Sequence, residues 1–143
     1  MYKIFAILFL LCLFSRISCE EKNADVPDIL QLIPENARES EILRNFHQKQ
    51  FLGKQEFYKP DLILTRKDVA IISVALLIKV DDIKDYGLGY FLTFDDLTDL
   101  LYLLSCFAED IYSLFPEKID TISRKTTRLE KRLNQETKIL DEH

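Results

Sequence analysis

The groups in this 143-residue chain that could do chemistry are three thiols, two imidazoles and a scatter of carboxylates. Cys19 is the most informative, because it closes Arg16-Ile17-Ser18-Cys19 where an apolar run gives way to the polar segment Glu20 to Asp28. A cysteine at such a junction is what the lipoprotein route cuts before and then acylates. Ordinary signal peptidase cleavage after Ser18 or Cys19 also fits, since both are small residues. Cys106 lies deep in the chain, and His47 and His143 fall on a helix and at the C-terminus. Catalytic cysteines need a histidine and a cationic setting, whereas Asp99 and Asp110 flank Cys106.

Other reactive patterns fail on spacing. There is no H-E-x-x-H, no paired C-x-x-C and no G-x-S-x-G. Gly87-Leu88-Gly89 lacks the third glycine and the lysine of a phosphate loop. A calcium loop starting at Asp82 would place Lys84 and Tyr86 at ligand positions. Asp95 and Asp99 could in principle share acid and base work, but carboxylates in a first helical turn are already favoured by the macrodipole. The sequence therefore predicts no catalysis, no metal and no cofactor.

Stepping outward from Cys19, Lys3 followed by the apolar run Ile4 to Phe14 has the form of an export signal. Eleven apolar residues fall short of the about 20 that a membrane span needs. The apolar start ending in Ile17-Ser18-Cys19, a charged tether, and a Lys/Ile/Leu/Asp-rich helical body without tryptophan together resemble the plasmid-encoded surface lipoproteins of Borrelia-type spirochaetes. That resemblance implies a lipidated Cys19 at the mature N-terminus, attachment to the outer membrane or cell surface, and action by binding a host or surface protein. Failing lipidation, the chain is a secreted one.

Removing residues 1–18 takes away Lys3 and Arg16, which shifts the net charge from −5 to −7. An acidic surface argues against nucleic acid as a partner. Cys106 is then the sole unmodified thiol if Cys19 is acylated, so no internal bridge can form. A Cys106-linked homodimer is the sharper alternative to an inert or shielded thiol.

The body reads as all-α, a compact bundle of about four helices: 1–18 signal peptide, 19–33 tether, 34–143 helical domain. Pro34 suits the first position of a helix reaching about Leu52, with Gly53 ending it. Thr65 with Asp68, and Thr93 with Asp96, form capping boxes, with Leu64/Val69 and Leu92/Leu97 as hydrophobic staples. The first of these helices runs to about Asp82, is apolar on every side, and should be the bundle centre. The second should run unbroken to Phe115. Its expected core stripe is Leu97, Leu100, Leu101, Leu104, Ala108, Ile111 and Phe115, with Cys106 and Asp110 opposite. The segment Asp85 to Leu92 reads as a turn with aromatic packing.

The last helix, about Glu117 to Asp141, carries Ile119, Ile122, Thr126, Leu129, Leu133, Glu136 and Leu140 on its inner seam. Arg124, Lys125, Arg128, Lys131 and Arg132 gather on its outer face. They either pair with the Asp-rich helix or form a docking strip for an acidic partner such as a host glycan, an anionic membrane or another subunit. The flank Tyr86 to Tyr102 is a second candidate contact. An alternative of another class is a soluble secreted carrier that holds a small apolar ligand between its helices.

Overall fold

A computed structural model describes residues 28–52, 58–83 and 92–141. The expected signal segment, Cys19, Gly53, most of the expected turn from Asp85 to Leu92, and His143 lie outside the described residues. The fold is all-α: α1 (Arg38–Gln48), α2 (Arg66–Ile83), α3 (Phe94–Cys106), α4 (Ala108–Leu114) and α5 (Ile119–Asp141). Short 3-10 turns precede α1 at Asp28–Leu30 and α5 at Pro116–Lys118. Among the described residues the only strand-like feature is a single bridge between Leu32 and Thr65.

Both capping boxes form as their spacing predicts. The Thr93 amide donates to Asp96 Oδ2 at 2.8 Å and the Asp96 amide to Thr93 Oγ1 at 3.2 Å. Thr65 and Asp68 make the same reciprocal pair. Leu64, Val69 and Leu97 are buried beside them, as staple residues should be.

Helix α1 is shorter at both ends than Pro34 and Gly53 suggest. Residues 34–37 turn back on themselves instead, the Ala37 amide donating to the Pro34 carbonyl and Ser40 Oγ to the same oxygen. At the other end Gln50 takes the left-handed conformation, φ 65°. Its amide reaches the His47 carbonyl and the Phe51 amide reaches Phe46, the paired bonds of a Schellman stop. The rings of Phe46 and Phe51 meet edge to face at 6.0 Å, supplying the apolar contact that accompanies such stops.

The expected single helix from Thr93 to Phe115 is two helices with an elbow at Phe107. Arg66 holds the elbow. Its Nη2 donates at 2.9 Å to the Cys106 carbonyl, the oxygen that an unbroken helix would present to the Asp110 amide. The same guanidinium pairs with Asp110 Oδ2 at 2.7 Å and lies over the Phe107 ring at 4.6 Å. A side chain inserted into the helical ladder is a recognised cause of a sharp bend.

The outward placement of Cys106 and Asp110 is overturned for the same reason: both are buried. A single apolar stripe locates the covered face of a helix with neighbours on one side, but α3 touches α1, α2, α4 and α5. The buried arc accordingly extends past Leu97, Leu100 and Leu104 to Asp96, Leu103 and Phe107, while Leu101 is only half-buried. With its sulfur in the core, Cys106 is not placed to bridge two copies without local opening.

Helix α2 is central, touching α3, α4, α5 and the Asp28–Leu30 turn. It is not enclosed all round, however, since Ile71 and Ile78 remain about two-fifths exposed. The α5 seam packs as the 3,4 rhythm predicts: Thr126, Leu129 and Leu133 are buried and Ile122 lies against the core. The side chains of Glu136 and Leu140 lie outside those described.

Candidate functional site

The two ends of α2 present different chemistry, and about 22 Å of helix separates Arg66 from Asp81 at about 1.5 Å per residue. Each end gathers a different exposed surface.

At the C-terminal end, Asp81 draws in the basic face of α5. Its Oδ1 accepts from Arg128 Nε at 2.8 Å, and its Oδ2 accepts from Arg128 Nη2 at 2.7 Å and Lys125 Nζ at 2.6 Å. These hydrogen bonds, led by Arg128 and working against desolvation, lower the Asp81 pKa from 3.8 to about 2. Leu77, Val80 and Leu129 close the crevice beneath, with Arg132 on its wall. The five residues of the expected strip thus divide. Lys125 and Arg128 tie α5 to α2, Arg132 is half-buried, and Arg124 and Lys131 are exposed. The counter-charge is Asp81 of α2 and not an aspartate of α3.

The aspartates of α3 pair with α1 instead. Asp96 is buried and takes both Lys49 Nζ, at 2.6 and 2.8 Å, and Asn45 Nδ2, at 3.0 Å. Burial pushes its carboxyl up, but the bonds from Lys49, Thr93 and Asn45 outweigh it and hold the pKa below the ordinary range. Asp99 meets Arg38 at 3.3 Å, and Arg38 stacks on Tyr102. Tyr102 donates to Glu39 at 3.0 Å; burial, the Cys106 thiol and Glu39 together raise its pKa far above that of a free phenol. Asp95 is exposed and the Asp95/Asp99 pair forms no shared site. His47 Nδ1 lies 3.1 Å from the Leu52 carbonyl and its ring abuts Tyr58, a packing role.

At the N-terminal end of α2, residues 31–33 run beside 64–66. The Ile33 amide donates to Leu64 at 2.7 Å and the Arg66 amide to Gln31 at 2.8 Å. The stretch from Asp28 to Ile33, placed within the tether but also readable as a helical turn, forms a 3-10 turn at Asp28–Leu30 and then pairs with the body through Leu32. Alternation across this bridge turns Leu64 inward and leaves Leu32 and Ile63 61% and 77% exposed. With Leu62, Pro34 and Pro60 they rim a surface cleft of about 330 Å³. Sequence reasoning missed this rim. Its signal was present in the apolar triplet Leu62-Ile63-Leu64, which a connection between helices does not need.

Among the described residues no cluster of three His, Cys, Asp or Glu side chains could hold a metal ion, and no helix is long and apolar enough to cross a membrane. Of the flank near Tyr86 to Tyr102, Phe94 is the exposed large apolar residue described, at 38%. Comparison with protein-family models, curated proteins and solved structures gave no match.

Proposed function

We propose that the chain is an exported lipoprotein, acylated at Cys19, that holds a small helical domain at a membrane surface and acts by binding an acidic partner. The junction at Ile17-Ser18-Cys19 supports the anchor, and the resemblance to spirochaetal surface lipoproteins supports the outer membrane or cell surface as its place. The observation that carries the binding role is the polarity of the body along α2. The residues nearest Cys19 in sequence, 28–33, lie at the N-terminal end of α2, whereas the basic face of α5 gathers at the other end. A domain hung from Cys19 would present Arg124 and Lys131 away from its anchor.

Binding through that face should weaken with salt, because exposed charges are screened. The test is retention on immobilised heparin, a sulfated glycan, and on polyglutamate. Arg124 and Lys131 are the residues to reverse, since reversing Lys125 or Arg128 would also disrupt their contact with Asp81. Retention that is lost in Arg124→Glu/Lys131→Glu supports the strip, and unchanged retention by the folded variant refutes it.

The carrier reading finds one point of support in the cleft near Leu32, which lies at the surface and not between the helices. Native mass spectrometry of the protein from its source would decide it, by showing a co-purified ligand or none.

A further inference from the structure

The rim holds Leu32 and Ile63, the two most exposed large apolar side chains described, with Leu62 beside them, and its place in the fold says what covers it. Single exposed leucines are common on protein surfaces, but three large aliphatic side chains around one cleft, the least covered 77% exposed, mark a contact. The rim is built from the residues nearest the proposed anchor. Eight residues lie between Cys19 and Asp28, and the nine steps they span reach at most about 30 Å when fully extended. The bridge between Leu32 and Thr65 then fixes Leu32 beside Ile63 with no further slack.

We infer that Leu32, Leu62 and Ile63 rest in the headgroup layer of the bilayer that holds Cys19, so that the domain lies down on the membrane instead of swinging from its tether. This inference depends on the anchor reading of the preceding section. Charge does not oppose it: Glu35 and Asp61 at the cleft are balanced by Arg44 and by Lys59, which stands between Tyr58 and Pro60. An anionic headgroup layer therefore neither repels nor specially attracts the rim. Three partly inserted side chains bind a bilayer weakly in a free chain, since even one acyl chain gives marginal attachment. A short tether makes the same contact intramolecular, at an effective concentration in the millimolar range, where an affinity about tenfold below that of one acyl chain already docks half of the molecules. The docked orientation also directs the C-terminal end of α2, with Asp81, Arg124 and Lys131, toward solvent.

The chain has no tryptophan, so a single introduced indole reports on its own surroundings. Leu62 and Ile78 are matched positions, 45% and 43% exposed, one on the rim and one on the outer side of α2. The chain from Cys19 to His143, carrying Leu62→Trp or Ile78→Trp, would be coupled through Cys19 to a maleimide lipid in phosphatidylcholine vesicles by brief labelling, which the buried Cys106 is too slow to compete for. Coupling by maleimide makes the result independent of whether the cell acylates Cys19, which N-terminal mass analysis decides separately. Docking predicts a blue shift and quenching by brominated lipid for Trp at 62 and neither for Trp at 78, unchanged by added salt or by phosphatidylglycerol. Adding Leu32→Asp and Ile63→Asp should cut the docked fraction about tenfold or more, the effect of withdrawing one aliphatic side chain from an apolar phase. Water-like emission at 62 in the coupled chain overturns the inference. So does a blue shift that appears without vesicles and grows with protein concentration, which would assign the rim to a second copy.

Discussion

Replacing Asp81 by Asn removes the charge that joins α5 to α2 while keeping its shape. A carboxyl lowered from 3.8 to about 2 on folding stabilises the fold by about 2 kcal/mol when ionised, at about 1.4 kcal/mol per pH unit. That figure is a ceiling. The side chain of Arg128 is 47% exposed and that of Lys125 only 17%, so solvent screens the larger contributor and about 1 kcal/mol should remain. Because the folded pKa is the lower one, the contribution is complete above the unfolded value of 3.8 and disappears as pH falls through about 2. Urea unfolding followed by far-ultraviolet circular dichroism should therefore show Asp81→Asn less stable by about 1 kcal/mol at neutral pH, with an unchanged slope. The gap to the wild type should close over the acid limb below pH 4. A variant as stable as the wild type at neutral pH, or a gap that stays constant into acid, would refute the assignment of Asp81 as the ionic joint.

Other consequences are simpler to check. Gln50→Gly relieves a left-handed residue at the α1 stop and should raise the unfolding free energy by about 1 kcal/mol, and the urea midpoint with it; no gain would mean that Gln50 is unstrained there. Cys106 should react with Ellman's reagent slowly in the native protein and at once in urea, whereas immediate native labelling contradicts its burial. Glu130 has its pKa raised by burial, so its ionisation opposes folding as pH rises past the unfolded value. Glu130→Gln should accordingly raise Tm at neutral pH and have little effect in acid, and a lower Tm at neutral pH would contradict that sign.

Local chemistry was the legible part of the sequence. Thr65 with Asp68 and Thr93 with Asp96 specify helix starts through bonds spanning three residues, and the α5 seam follows from periodicity alone. What was hidden depends on residues far apart in the chain. Arg66 breaks the α3–α4 helix from 40 residues away, and no pattern between Thr93 and Phe115 announces it. Lys125 and Arg128 look like a solvated strip until Asp81 is beside them. Pro34 misled because a proline suits a turn before a helix as well as its first position. The apolar rim went unseen because Leu32 and Ile63 belong to two segments, each plausible as connection, that become one surface only when they pair.

The most direct test of the anchored reading is the intact mass and N-terminal peptide of the mature protein from its native source, with and without an inhibitor of lipoprotein signal peptidase. A lipid-anchored protein gives an acylated N-terminus at Cys19 and accumulates as its precursor under the inhibitor. An unmodified start at Cys19 or Glu20, indifferent to the inhibitor, would contradict that reading.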